Sequence, residues 1–187
     1  MRIISGHARG LTLRVPKGEV RPTTDRVREA LFSILGNRVE GARVLDLFCG
    51  SGALALESLS RGAASARLVD KSASSCRTAA DNAARLGFPN ARVTNADCAQ
   101  FVARERGVYD LIFADPPYCK APGDRDMIAE LMQGRLHELL ASGGLFVAEA
   151  QQGYGVAEAS GRACGRWELA DSRQYGNNTL FFFTVPS

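Results

Sequence analysis

The chain reads as an α/β protein: a doubly wound, mostly parallel seven-stranded sheet preceded by a small N-terminal β-hairpin plus helix. Three observations lead there. From residue 41 onward, short apolar runs alternate with segments of helical length, the pattern of β-α units wound around a parallel sheet. The last two runs, near 166–171 and 178–185, have no obvious helix between them and so predict a closing antiparallel hairpin through Gly176-Asn177-Asn178. Acids stand at or just beyond the carboxyl ends of successive runs: Asp46, Asp70, Asp97, Asp115 and Glu149. That is the edge at which open α/β sheets hold ligands.

Residues 2–5 and 11–15 read as short strands of a hairpin around Gly6-His7-Ala8-Arg9-Gly10. A helix follows, with Thr24 as N-cap, Asp25 at its positive end and Gly36 closing it. Its buried stripe is Val27, Ala30, Leu31, Ile34 and Leu35, which leaves Arg26, Arg28 and Glu29 off that stripe. Strands are expected at 44–48, 66–70, 91–95, 108–114 and 145–149. Between them lie an Ala/Leu-rich helix closed by Gly62, a helix running from Ser72 to Gly87, and one capped by Asp124. That last helix would place Met127, Ile128, Leu131, Met132, Leu136, Leu139 and Leu140 on one side, and Trp167 reads as core or edge packing.

At 187 residues the chain fits one main domain, 41–187, with an N-terminal extension, 1–40. Charged residues at 23% and hydrophobic ones at 45% are those of an ordinary soluble globular protein. There is no 18-residue apolar run, and the opening residues lack an apolar signal region, so no membrane association is expected. Cys49, Cys76, Cys98, Cys119 and Cys164 are never closer than 21 positions, which excludes Cys-x-x-Cys pairs and points to a reducing compartment, the cytoplasm. His7 and His137 have no recognisable metal or triad partners, so no metal is expected, and a monomer is the default. Residues 1–40 carry eight basic against four acidic side chains, while 41–187 carry fifteen against sixteen. A basic segment ahead of a near-neutral domain is either a solvated face or an arm that touches phosphates.

Asp115-Pro116-Pro117-Tyr118 follows the apolar run ending at Ala114. The prolines have fixed φ and no N–H, so the strand stops and its corner offers only carbonyls beside a carboxylate. Such a corner suits a flat group that donates hydrogen bonds, such as a nucleobase amine, with Tyr118 free to stack on the ring. Read alone, the same four residues also describe a Pro-rich turn capped by Asp115. Gly50-x-Gly52-x-x-Ala55, with Asp70 about twenty residues on, satisfies a loose dinucleotide fingerprint. A dinucleotide brings a pyrophosphate, which Asp46 would repel. S-adenosylmethionine brings a sulfonium, an amino group and ribose hydroxyls, so Coulomb sign favours it in an acid-lined pocket.

Val44-Leu45-Asp46-Leu47-Phe48-Cys49-Gly50-Ser51-Gly52 resembles motif I of class I methyltransferases, and Asp115-Pro116-Pro117-Tyr118 resembles motif IV of their amino-methylating members. Arg2-Ile3-Ile4-Ser5-Gly6 and Arg21-Pro22-Thr23-Thr24-Asp25-Arg26-Val27-Arg28-Glu29-Ala30-Leu31-Phe32 resemble the RsmD family, bacterial guanine-N2 methyltransferases of small-subunit (16S) ribosomal RNA. The resemblance implies that the loop Asp46, Phe48, Cys49, Gly50, Gly52 cradles the methionine end of S-adenosylmethionine. It implies that Asp70, next to Lys71, binds the ribose, and that Asp97 with Ala96 and Cys98 reads the adenine. It implies that Asp115 and the Pro116 carbonyl hold the target amine beside Pro117, while Tyr118 stacks on the flipped base. Cys49 and Cys119 read as packing or loop residues, since methylating an amine needs no thiol. Arg9, Arg14, Arg21 and Arg26 are the phosphate-contact candidates, although Arg26 and Arg28 could instead pair with Asp25 or Glu29. The partner implied is ribosomal RNA, free or in an assembled small-subunit particle. Two rivals stay open: adenine-N6 methylation of DNA or RNA, which the four-residue motif also serves, and a non-catalytic RNA-binding assembly factor.

Overall fold

Strands and helices alternate as the apolar runs predict. The computed structural model describes residues 1–16, 24–117, 124–154 and 166–186, so Arg21, Tyr118, Cys119 and Cys164 lie outside the described residues. In chain order the strands are β1 (Arg43–Leu47), β2 (Ser65–Asp70), β3 (Ala91–Asn95), β4 (Tyr109–Ala114), β5 (Leu140–Gln151), β6 (Glu168–Tyr175) and β7 (Asn178–Thr184). They form one sheet in the order β3-β2-β1-β4-β5-β7-β6. β1 with β2, β2 with β3 and β4 with β5 are parallel, whereas β7 runs antiparallel to both β5 and β6. The closing hairpin is therefore as expected, turning at Gly176 with Tyr175 opposite Asn178. The described residues fall into two compact units, Met1–Cys98 and Ala99–Ser187.

In the first unit, β1 is buried from Val44 to Leu47. Helix α1 (Asp25–Leu35) begins where the Thr24 hydroxyl accepts from the Val27 N–H at 3.3 Å, and the Gly36 N–H closes it on the Phe32 carbonyl. Its buried face differs from the expected stripe. Ile34 is exposed at 40%, while Phe32 and the guanidinium-bearing Arg28 are buried. Arg28 Nη2 donates to the Arg2 carbonyl and, at 3.0 Å, to Asp25, which offsets part of the cost of an inward Arg whose Nε and Nη1 have no hydrogen-bond partner among the described residues.

The N-terminal hairpin is present in reduced form. Residues 2–5 and 11–15 form no strand ladder, only an isolated antiparallel bridge between Arg2 and Thr12. Three backbone bonds still cross between the segments, from the Ile3 N–H to the Leu11 carbonyl at 3.0 Å, from Gly10 to Ile3 at 2.9 Å and from Leu13 to Met1 at 3.1 Å, while the amides of Ile4, Ser5, His7 and Ala8 turn to a later helix. Helix α2 (Ala53–Ser60) is buried on every side, and its Glu57 carboxylate accepts from the Ile4 and Ser5 N–H groups at 2.8 and 3.0 Å. The His7 N–H donates to the Ser60 carbonyl and the Ala8 N–H to the Ser60 hydroxyl. Gly6 sits so close that a Cβ there would lie 1.7 Å from the Ser60 carbonyl oxygen. The segment is thus a short, irregular hairpin clamped to α2. Helix α3 (Ala73–Leu86) starts at the Ser72 cap and ends at Gly87, as its flanking residues predict.

The second unit contains α4 (Cys98–Arg104), which begins at the boundary residue, β4 and α5 (Met127–Gln133). The cap of α5 is Asp126 rather than Asp124, because Asp126 Oδ1 is the oxygen that accepts from the Ala129 N–H, at 2.9 Å. Gly134 then interrupts the apolar run, so Leu136–Leu139 forms a separate 3-10 turn instead of extending α5. β5 begins at Leu140, earlier than expected, with a register shift opposite Tyr109 and Leu111. Trp167 is buried, and its indole N–H donates to the Met132 carbonyl at 3.0 Å.

Candidate active site

The chain leaves β1 through a turn that only a narrow set of residues permits. Phe48 has φ 61°, the one positive φ outside glycine among the described residues. The Cys49 N–H then bonds to the Val69 carbonyl at 3.1 Å, and the Gly52 N–H returns to the Cys49 carbonyl at 2.7 Å. Gly52 takes the left-handed conformation (φ 81°) at the start of α2, where a Cβ would meet the Leu68 side chain at 2.9 Å.

Two acids shape this turn. Asp46 is buried, and its Oδ2 accepts from the Ala55 N–H at 3.0 Å. Burial pushes its carboxyl up to about 7; the Ala55 hydrogen bond opposes that rise and the nearby charge of Asp70 adds to it. Asp70 receives the Gly50 N–H on Oδ2 at 2.9 Å and the Ser72 N–H on Oδ1 at 2.8 Å, tying the glycine turn to the start of α3. Lys71 is exposed, Asp97 is half-buried, and the Ala96 N–H donates to the Asp70 carbonyl at 3.0 Å. Burial raises the Cys49 thiol well above its usual range and Cys98 to about 12, so neither is a ready nucleophile. A glycine turn flanked by carboxylates fits a cofactor with a cation and hydroxyl donors, and it disfavours a pyrophosphate.

In the second unit β4 ends at Ala114. Asp115 beyond it is half-buried, Pro116 buried and Pro117 exposed. A cavity of about 200 Å³ opens beside the two prolines, bounded also by Ile128, Glu149 and Tyr154. Glu149 is only 4% exposed, and its Oε1 accepts from the Asn178 amide. The Tyr154 hydroxyl lies 2.8 and 3.0 Å from the two carboxylate oxygens of Asp126, the α5 cap. Sequence reasoning placed Glu149 only in the row of strand-end acids and missed Asp126 and Tyr154. Asp126 carried a signal, an acid directly before the apolar run of α5; Tyr154, just past a glycine, carried none. Of the arginines, Arg9, Arg14 and Arg26 are exposed, and Arg28 pairs with Asp25 as one of the alternatives held. The Asn82 side chain pins the Arg14 backbone through two bonds of 2.9 Å.

A mostly parallel seven-stranded sheet with an antiparallel last strand pair, and an acid-flanked glycine turn after β1, are the hallmarks of a Rossmann-like class I methyltransferase fold. The family model described as "Conserved hypothetical protein 95" matches residues 1–184. "Ribosomal RNA small subunit methyltransferase D" of Escherichia coli (strain K12) is 44% identical over 119 residues, covering 63% of this chain and 60% of that relative's length. "Putative rRNA methyltransferase YlbH" of Bacillus subtilis is 35% identical over 167 residues, 86% of this chain and 88% of the relative. The solved structure "Putative methyltransferase yhhF from Escherichia coli" superposes with a TM-score of 0.85 at 34% identity, over 99% of this chain and 97% of that one. The chain belongs to the RsmD family of S-adenosylmethionine-dependent methyltransferases.

Proposed function

We propose that this protein transfers a methyl group from S-adenosylmethionine to the exocyclic N2 amine of a guanine in small-subunit ribosomal RNA. The observation that carries the reading is the cavity beside Pro116 and Pro117, a space for one flat ring next to a backbone corner that offers acceptors and no donors. The name of the Escherichia coli relative supports ribosomal RNA as the substrate class.

When bound, S-adenosylmethionine supplies an electrophilic methyl group on a sulfonium. The Asp46–Gly52 turn holds its methionine end, Asp70 with Lys71 its ribose, and Asp97 with Ala96 and Cys98 its adenine. The lone pair of a guanine amine is delocalised into the ring, so it attacks poorly. Asp115 and the Pro116 carbonyl accept the two amine hydrogens, which favours a pyramidal nitrogen and aims its lone pair. As the N–C bond forms and the methyl–sulfur bond breaks, the surplus proton leaves to Asp115 or to water. Positioning and charge placement carry the rate. Tyr118 stacks on the base, which must be unpaired or extruded to reach the corner. Residues 1–40 act as an RNA-contacting extension, with Arg9, Arg14, Arg21 and Arg26 on phosphate, and the enzyme works as a cytoplasmic monomer.

The test incubates the protein and an Asp115→Ala variant with labelled cofactor, free RNA and small-subunit particles lacking the modification. N2-methylguanosine is the expected product, and the variant should be slower by roughly 100- to 1,000-fold, the scale for removing one preorganised polar partner. N6-methyladenosine without N2-methylguanosine overturns the choice of base. No transfer in a single turnover favours an assembly factor.

A further inference from the structure

We propose that Glu149 is the residue that selects guanine, by accepting the ring N1–H adjacent to the target amine. The inference rests on the guanine-N2 reading above and adds a specificity-determining contact to it.

The cavity beside Pro116 and Pro117 measures about 200 Å³. Pockets for drug-sized ligands begin at roughly 300 Å³, so this space suits a single ring system rather than a whole nucleotide. Its walls differ in chemistry. Pro116 and Pro117 contribute no N–H, and Ile128 is apolar. The Asp126 carboxylate is engaged by the Tyr154 hydroxyl and the Ala129 N–H. Glu149 brings an acceptor-only group to the same lining, buried to 4% exposure. The Asn178 amide bonds its Oε1, one of about four acceptor positions on a carboxylate, and so orients the group. Asn178 is itself placed by pairing opposite Gln151 in the β5–β7 ladder.

Along its pairing edge guanine presents two neighbouring donors, the N1–H and the N2 amine. Adenine and 2-aminopurine present a lone pair at N1. A carboxylate shielded from water attracts the first arrangement and repels the second, and the low local dielectric enlarges the difference. A site built around a substrate N–H rejects an analogue lacking it far more strongly than a hydrophobic pocket rejects a missing methylene. The four-residue motif at the end of β4 serves adenine and guanine alike, so discrimination has to come from another wall of the cavity.

The experiment uses the full chain, first mapping the modified nucleotide with labelled cofactor. RNA carrying either guanine or 2-aminopurine at that nucleotide is then offered to wild type, Glu149→Gln and Asn178→Ala. 2-Aminopurine keeps the reacting amine and lacks only the 6-oxo group and N1–H. Wild type should prefer guanine by roughly 100-fold or more in kcat/KM. In Glu149→Gln the amide oxygen can keep the Asn178 bond while its NH2 faces the base as a donor, so the guanine preference should collapse with 2-aminopurine turnover retained. Asn178→Ala, which keeps the carboxylate and removes the group that orients it, should give an intermediate ratio. A wild type that uses both bases equally overturns the proposal, as does a Glu149→Gln enzyme with an unchanged ratio or with no activity on either base while S-adenosylhomocysteine still binds. If Glu149→Gln does not fold, Asn178→Ala decides, and an unaltered ratio there overturns it. Failure of the underlying reading looks different: wild type forms no N2-methylguanosine at all.

Discussion

At the ends of β1 and β2 the carboxylates bond to the backbone of their own unit. Around the cavity of the second unit Asp126 caps α5 through the Ala129 amide, and both Asp126 and Glu149 also bond to side chains. Asp46 takes the Ala55 amide and Asp70 the amides of Gly50 and Ser72, so these acids set the path of the main chain. Asp126 takes the Tyr154 hydroxyl, and Glu149 the Asn178 amide. Backbone amides cannot rotate away from an acceptor, whereas a hydroxyl or an amide side chain can. The first region is therefore a frame whose geometry is inseparable from folding, and the second is an adjustable surface on which base selectivity can be tuned at small cost to stability.

The comparison is most exposed at Asp70. Asp70→Ala strands two backbone donors, each worth roughly 1.5–3 kcal/mol when bonded to a charged group, so a loss of about 3 kcal/mol in urea unfolding is expected. S-adenosylhomocysteine affinity should fall at least tenfold by calorimetry. A variant that binds normally and melts like wild type would show that Asp70 does not frame the turn.

A smaller effect is expected at Asp46 and is read through pH. Burial holds its folded carboxyl near 7, above the ordinary value of 3.8. Between those values the folded state holds a proton that the unfolded state has released. Its contribution to stability is therefore present below about pH 4 and lost as pH rises through about 7. Relative to Asp46→Asn, which keeps an oxygen for the Ala55 N–H, wild type should lose on the order of 2 kcal/mol between pH 5 and pH 8. Taking the difference between the two proteins cancels other titrating groups. A flat difference would mean that Asp46 ionises like a surface acid.

The smallest effect belongs to the second region. Tyr154→Phe removes one hydroxyl bond to Asp126, at about 1 kcal/mol of stability. S-adenosylhomocysteine affinity should stay within twofold while kcat/KM on RNA drops severalfold. An equal fall in both would erase the distinction between frame and adjustable surface.

Much of this was legible along the chain. β1, β2 and β3 and the caps at Thr24 and Ser72 follow from apolar runs and flanking polar residues, signals local enough to be seen without neighbours. The glycine turn followed likewise, with Asp46 and Asp70 at the ends of neighbouring parallel strands β1 and β2. The bonding of residues 2–8 was legible only in part. The glycine-bounded turn predicted the hairpin that Ile3, Gly10 and Leu13 form, but not that Glu57 and Ser60, more than fifty positions later, claim the amides of Ile4, Ser5 and Ala8. Nor could the stripe of α1 reveal that Arg28 turns inward and Ile34 outward, since that depends on Arg2 and Asp25 being there to accept.

The sequence by itself determined the strand and helix order, the acid-flanked turn after β1 and the donor-free corner after β4, because each depends on residues adjacent in the chain. Only the tertiary structure decided that Glu149, Tyr154 and the prolines bound one cavity, and that the N-terminal hairpin clamps onto α2. Cavities and clamps form between residues distant in sequence. Their partners are selected by packing and by the cost of leaving buried polar groups unpaired, and no local pattern records that choice.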